Sequence, residues 1–304
     1  MRLIVILPAF NEQGSIGAVL SHLPRTLPEN ISVSALVVDD GSSDGTARVA
    51  KAHGAAVLVH PERLGLAAAF RTGLAAALRE KADLIATLDA DGQYRPEELS
   101  LLLSKLRSTN AALVVGDRQI SRCTHMPIGN RVGNSVGSAL LRFLAAVPVA
   151  DASSGFRLFT VECGRALKIT SRHTYTHEML IQAHAFGFSI VDVPVTFLPR
   201  LHGKSKLVRT LRHHILRSCG TILKSLFLFR PLRKFLLLAF ISFFLAVAAA
   251  IWMILNHNAS NPQLTLLVVI LFLVGLQFVV LGVLADSAAA ERRLLFEERA
   301  HSHL

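Results

Sequence analysis

Asp83 to Gln93 reads DLIATLDADGQ. An apolar run, Leu84 to Leu88, ends in two carboxylates, Asp89 and Asp91, and Gly92 then turns the chain. Four to eight apolar residues stopped by Asp and Gly suit a buried strand that reaches the surface at its carboxyl end. The same string also suits an ordinary solvated turn, so the neighbouring segments decide what the two carboxylates are for.

The first 195 residues repeat the pattern. LIVIL (Leu3 to Leu7), VSALVV (Val33 to Val38), AAVLV (Ala55 to Val59) and AALVVG (Ala111 to Gly116) are further strand-like runs. Helical spacing fills the gaps around Ser15 to Leu23, Thr46 to His53, Leu66 to Lys81 and Pro96 to Arg107. Strand and helix in alternation predict an α/β domain with a largely parallel sheet, and in such sheets ligands bind at the carboxyl ends of the strands. Those ends read PAFNE (Pro8 to Glu12), DDGSSDGT (Asp39 to Thr46), DADGQ and GDR (Gly116 to Arg118). No G-x-G-x-x-G follows the first strand and no phosphate-binding G-x-x-x-x-G-K-[ST] occurs, so the common dinucleotide and triphosphate loops are absent. Acidic groups at several strand ends point instead to hydroxyl recognition together with a hard cation.

The chain of 304 residues is 52% hydrophobic with a mean hydropathy of +0.47, high for a wholly soluble protein. Phe235 to Leu255 and Leu264 to Ala285 are uncharged apolar runs long enough to cross about 30 Å of hydrocarbon as helices. Ten of the 32 Lys and Arg fall between Arg200 and Lys234 with no Asp or Glu, so the net charge of +11 is local. This is not the broad basic face of a nucleic-acid binder, and nucleic acid is not expected as a partner. Arg230, Arg233 and Lys234 precede the first span and Arg292 and Arg293 follow the second, while the linker NHNASNPQ has neither Lys nor Arg. The positive-inside rule then puts both chain ends on the cytoplasmic side. Met1 to Leu7 is too short, and too soon followed by Pro8, for a signal peptide. Three scattered cysteines indicate neither a disulfide framework nor a zinc site.

Between Lys206 and Arg230, Val208, Leu211, Ile215, Cys219, Ile222 and Leu226 recur at helical steps, with Arg209, Arg212 and Arg217 largely off that stripe. The pattern fits a basic amphipathic helix on an anionic membrane surface, or a helix packed on the domain with a solvated basic face. The expected organisation is a catalytic domain over 1–205, a basic interface segment over 206–234, a transmembrane hairpin over 235–285 and a tail over 286–304.

Taken in order, PAFNE, DDGSSDGT, DADGQYRP, GDR, SGFRLF (Ser154 to Phe159) and PRLHGKSKL (Pro199 to Leu207) resemble the family-2 inverting glycosyltransferases of the GT-A fold. More narrowly, they resemble the polyprenyl-phosphate glycosyltransferases, the dolichyl-phosphate mannose synthases and undecaprenyl-phosphate transferases among them. The resemblance covers about residues 2 to 210, and two terminal spans are common in the group. It implies a nucleotide-sugar pocket at Pro8, Phe10, Glu12, Val37, Asp39 and Asp40, continuing through Asp89, Ala90, Asp91, Gln93 and Arg118. It implies Mg²⁺ or Mn²⁺ at Asp89, Asp91 and Gln93, with oxygen ligands that suit such cations. Asp91, Arg118 and Glu178 are the catalytic candidates. Arg157, Arg200 and Lys206 are the candidates for diphosphate or acceptor phosphate. Arg157 could equally be an ion-pair partner of Asp151 or another carboxylate, and Glu178 a plain surface residue.

The implied reaction moves one hexose from a nucleotide sugar to a polyprenyl phosphate. Other readings are a family-2 transferase acting on diacylglycerol, a sphingolipid or a growing polysaccharide, and a non-catalytic membrane scaffold. Processive polysaccharide synthases of the group usually carry Q-x-x-R-W, and the one tryptophan here, Trp252, sits inside an apolar run. The sequence specifies no oligomeric state.

Overall fold

The apolar runs of the first half become the strands of one sheet. The computed structural model describes residues 1–171, 174–200, 231–256 and 261–301. Its first unit, Met1–Leu223, carries β1 (Arg2–Ala9), β2 (Thr26–Leu27), β3 (Ile31–Asp39), β4 (Ala56–Val59), β5 (Leu84–Thr87), β6 (Leu113–Asp117), β7 (Arg157–Thr160) and β8 (Ile190–Pro194). The helices are α1 (Ile16–His22), α2 (Thr46–Ala52), α3 (Leu66–Arg79), α4 (Leu99–Thr109), α5 (Ile128–Ala145), α6 (Val161–Ala166) and α7 (Thr176–Ala185).

Strand order is β2-β3-β1-β5-β7-β6-β8, with β4 also paired to β3. The expected parallel arrangement holds across β4, β3, β1 and β5, and again between β6 and β8. The sheet is nevertheless mixed, because β2 pairs antiparallel with β3 and β7 enters antiparallel between β5 and β6. β7 runs RLFT, overlapping the end of the SGFRLF motif, and its Arg and Thr interrupt the apolar run by which the other strands are read. Its insertion matters for the site: pairing of Thr87 with Arg157 sets the residues before β7 beside those after β5.

Leu3, Val5, Leu7, Val37, Ala86, Val114 and Leu158 form one buried face of the sheet, covered by Ile16, Leu99, Leu102 and Leu106 from α1 and α4. Ile4, Ile6, Val38 and Phe70, the last on α3, are also fully buried. A sheet covered on both faces explains why these strands read as continuous apolar runs rather than as alternating ones.

The second unit, Lys224–Leu304, is two helices, α8 (Pro231–Leu255) and α9 (Pro262–His301). Leu232–Leu255 and Pro262–Glu291 are long and apolar enough to cross a membrane. Within the pair, Ser242 donates its hydroxyl to the Leu271 carbonyl at 2.7 Å, and Phe243 packs its ring on Phe272. The expected tail over 286–304 is helical through His301, since its Ala, Glu, Arg and Leu content favours continuation of the second span. Lys206 and the basic stretch through residue 230 lie outside the described residues.

Candidate active site

PAFNE and DDGSSDGT fold as one laced structure. The Asn11 N–H donates to Ser42 Oγ at 2.8 Å, and the Ser43 N–H donates to Asn11 Oδ1 at 2.8 Å. The Glu12 N–H bonds Thr46 Oγ1 at 2.8 Å, and the Gly45 N–H bonds Gln13 Oε1 at 2.7 Å. Asp39 accepts from the Ser42 N–H at 2.9 Å. Asp40 is spent differently. Its carboxylate holds His60 Nδ1 at 2.8 Å and the Leu64 and Gly65 N–H groups at 2.9 and 2.8 Å, pinning the loop before α3. Arg63 of that loop lies 4.3 Å over the Phe10 ring. Val37 is fully buried in the core, so only its backbone borders this region. Pro8 is the penultimate residue of β1, paired with Val38.

The carboxylate pair sits at the next strand end. Gly92 turns the chain with φ 76°, a conformation that favours glycine, and Asp91 Oδ1 receives the Gln93 N–H at 3.1 Å. Ala90 is buried, and its carbonyl accepts the Ser15 hydroxyl at 2.9 Å. The same hydroxyl lies 3.0 Å from Glu12 Oε2. Burial, and then the neighbouring Asp91, push the Asp89 carboxyl up to about 7, with Arg118, Arg200 and Arg157 pulling the other way. Two acidic groups that repel each other within a ring of guanidinium groups favour any extra cation placed between them.

β7 supplies the floor. Thr87 donates its hydroxyl to the Gly155 carbonyl at 2.7 Å, and the Gly155 N–H bonds Tyr94 Oη at 3.2 Å. A Cβ on Gly155 would stand 2.4 Å from Asp89 Oδ1 and 2.6 Å from Oδ2, so only glycine permits the carboxylate to rest where it does. Periodicity gave no hint of this contact, because it joins motifs 66 positions apart; the unexplained Gly of SGFRLF was the available signal.

A second segment closes over the first. Thr196 donates both its N–H and its hydroxyl to Glu98, Phe197 bridges Tyr94, and the Leu198 N–H bonds the Gln93 carbonyl at 2.7 Å. Gln93 returns its side-chain N–H to the Leu198 carbonyl at 3.1 Å. This zipper delivers Arg200, whose guanidinium reaches Asp91 Oδ2 at 2.5 Å and Glu12 Oε1 at 3.3 Å. Arg200 therefore lies at the carboxylates that close β1 and β5, and burial works against its charge while Asp91 and Glu12 sustain it.

Arg118 and Arg157, the other basic candidates among the described residues, are committed to the protein. Arg118 forms a two-point pair with Asp151, at 2.5 and 2.9 Å, beneath the Phe197 ring. Asp151 is thus the partner of Arg118, not of Arg157. Arg157 is fully buried and gives its N–H groups to the carbonyls of Ala152, Ser154 and Thr176. Glu178 is 1% exposed rather than a surface residue. Its oxygens accept from the Thr170 and Ser171 N–H groups, the Thr170 hydroxyl and Gln182, which makes it a latch for the loop over 168–171.

Among the described residues, no third His, Cys, Asp or Glu joins Asp89 and Asp91 in a cluster able to hold a metal ion. That donor set still fits Mg²⁺ or Mn²⁺, which are commonly bound by one or two carboxylates with substrate phosphates and water completing the shell. It does not suit zinc or another soft ion.

A family model described as Glycosyl transferase family 2 matches residues 4–163. The chain is 30% identical over 218 residues to an undecaprenyl-phosphate mannosyltransferase of Micrococcus luteus, covering 68% of this chain and 88% of that one. It is 31% identical over 218 residues to a polyprenol monophosphomannose synthase of Mycolicibacterium smegmatis, covering 68% and 81%. Among solved structures, a glucosyl-3-phosphoglycerate synthase of Mycobacterium tuberculosis, in complex with Mn²⁺, uridine diphosphate and phosphoglyceric acid, superposes with a TM-score of 0.59 at 23% identity, covering 74% of this chain and 78% of that one. The fold is that of GT-A-like glycosyltransferases.

Two variants test the geometry. Gly155→Ala is expected to keep its far-UV circular dichroism and lose about 100-fold in turnover, the scale of a misplacement of 1 Å at a reacting centre. Asp151→Ala strands the Arg118 charge in the interior and is expected to cost about 3–5 kcal/mol in urea unfolding of the full chain.

Proposed function

The chain belongs to glycosyl transferase family 2, and on that footing we propose that it transfers a hexose, with inversion, from a nucleotide-diphosphate sugar to a polyprenyl phosphate at the cytoplasmic face of a membrane. The observation that carries the proposal is the pairing of Asp91 with Arg200 beside Asp89 at the carboxyl ends of the strands. A departing donor diphosphate and an anionic acceptor both need positive charge there, which a cation held by the two carboxylates and the Arg200 guanidinium would supply. The names of the two relatives support the acceptor class.

Each residue then has a task. Glu12 and Asp39, on the laced loops after β1 and β3, accept hydrogen bonds from the hydroxyls or base of the nucleoside. Phe10, with Arg63 above it, offers an aromatic face at the same edge. Asp89 and Asp91, with Gln93 beside them, would hold Mg²⁺ or Mn²⁺, which when bound neutralises the departing diphosphate. Gly155 fixes the position of Asp89, and Arg118, held flat by Asp151, sets the positive field behind it. Arg200, paired with Asp91, would be free to meet the acceptor phosphate if a cation occupied that carboxylate, and Lys206, outside the described residues, is a further candidate for that phosphate. Arg157 and Glu178 act as structure, through the carbonyls and loop N–H groups they bind.

A phosphate monoester oxygen is already anionic near neutral pH, so the nucleophile needs little help from a base. Charge neutralisation and alignment supply the catalysis. The two apolar helices keep the enzyme at the lipid acceptor, and the Lys and Arg flanking them favour a cytoplasmic catalytic unit and cytoplasmic chain ends.

Purified full-length protein in detergent, offered UDP-glucose, UDP-galactose, UDP-N-acetylglucosamine or GDP-mannose with undecaprenyl or dolichyl phosphate, is expected to form a lipid-phosphate sugar with one donor. EDTA is expected to abolish the product. Asp91→Ala is expected to lower turnover at least about 100-fold, the several kcal/mol that a bound cation contributes to a departing charge. Nucleotide binding without product for any donor would overturn the acceptor assignment.

A further inference from the structure

The segment after β4 reaches past the end of β3 to the end of β1. The carboxyl half of β3 lies between β1 and β4, all parallel, so Phe10, Asp39 with Asp40, and the loop from His60 to Gly65 leave the sheet at neighbouring strand ends. Arg63 is exposed and places its guanidinium carbon 4.3 Å over the Phe10 ring. That contact joins the two segments on either side of the strand that ends in Asp39, at the edge where a nucleoside would lie.

The backbone that carries Arg63 is held from below. Asp40 accepts the Leu64 and Gly65 N–H groups on separate carboxylate oxygens, at 2.9 and 2.8 Å. A carboxylate only accepts, so His60 Nδ1 donates to Asp40 Oδ1 at 2.8 Å, and Nε2 lies 3.0 Å from the Thr72 hydroxyl on α3. The His60 N–H donates to the Asp39 carbonyl at 2.8 Å. A Cβ on Gly41 would stand 2.6 Å from the Glu62 carbonyl carbon and 2.8 Å from the Arg63 nitrogen, so the DDG turn rests directly on the Glu62–Arg63 peptide. His60 and Asp40 are both buried. A buried polar network with its partners in place makes rigid what it holds, and here that is the peptide from which Arg63 extends.

We infer that Arg63 selects the base of the donor nucleotide, and that Asp40 and His60 are positioning residues that hold it over Phe10. The inference rests on the nucleotide-sugar reading above and deepens it. A guanidinium carries donors and no acceptor, and contact with Phe10 engages its face, not its N–H edge. Arg63 as donor and Asp39 as acceptor, at neighbouring strand ends, match a base that presents an oxygen next to a ring N–H. Uracil and guanine do so, at O4 and O6. Adenine presents an amino group where that oxygen stands, which sets donor against donor. With the ribose and diphosphate fixed along the strand ends, the site therefore favours uracil or guanine over adenine, and Arg63 makes the distinction.

The test is titration calorimetry of the full chain in detergent with UDP, GDP and ADP, each with Mn²⁺. The unaltered protein is expected to bind UDP or GDP at least about tenfold more tightly than ADP, the scale of one hydrogen bond to a charged group. Arg63→Ala is expected to remove that preference, and so is Arg63→Lys, which keeps the charge and loses the planar fork. His60→Ala is expected to cut the preference below about threefold, whereas His60→Asn, whose amide can still donate to Asp40, keeps it. Arg63→Ala combined with His60→Ala is expected to behave as Arg63→Ala alone, because His60 acts through Arg63. An Arg63→Ala protein that keeps the preference overturns the inference, whether or not the His60 variants fold. Equal weakening of UDP, GDP and ADP by Arg63→Ala assigns the residue to the diphosphate and also overturns it. A further loss in the double variant overturns the positioning role of His60. Equal binding of UDP, GDP and ADP by the unaltered protein overturns base selection and leaves the transferase reading in place. Binding of none of them overturns the nucleotide-sugar reading, and the inference with it.

Discussion

Asp89 and Asp91 stand two residues apart at the end of a strand that is buried along its whole length. Like charges so placed are costly, and the structure around them is arranged to offset that cost. Arg200 pairs with Asp91, while Arg118 and Arg157 act on Asp89 from behind, each fixed by partners of its own. The balance remains incomplete, since Asp89 is still held well above the ordinary carboxylate range. Burial first, and then the neighbouring Asp91, keep it there despite the arginines, and such a pair of carboxylates suits a hard cation.

The arrangement depends on topology more than on the individual motifs. The antiparallel entry of β7 between β5 and β6 brings Gly155 beneath Asp89, and no parallel crossover at that place would present the same backbone edge. The zipper from Thr196 to Leu198 along Gln93 to Glu98 then carries Arg200 across to carboxylates more than a hundred positions earlier in the chain. Buried ionic groups with all partners in place confer a defined geometry more than they confer stability. That is the use made of them here, where Arg118 with Asp151 and Arg200 with Asp91 and Glu12 fix the positions of groups around the strand ends.

Membrane attachment and chemistry belong together on this reading. A polyprenyl phosphate keeps its tail in the bilayer and offers only its phosphate at the surface, so an enzyme acting on it has to hold its strand ends at the headgroup layer. Two apolar helices tether the chain, but a tether alone leaves the orientation of a catalytic unit open.

The sequence by itself determined the alternation of strands and helices, the strand ends that carry the acidic groups, and the two long apolar helices. These follow from local patterns, in which each residue's neighbours along the chain are also its neighbours in the element. The same logic placed Asp89, Asp91 and Glu12 at strand ends, but it could not say which carboxylate meets which arginine. Tertiary structure alone decided that Asp151 belongs to Arg118, that Asp40 pins the loop before α3 and that Glu178 is an interior latch. It alone decided that Gly155 is needed for lack of a side chain. The physical reason is common to all of these: pairing of charges and covering of apolar faces are settled between segments distant in sequence, by the order and direction in which the strands join the sheet.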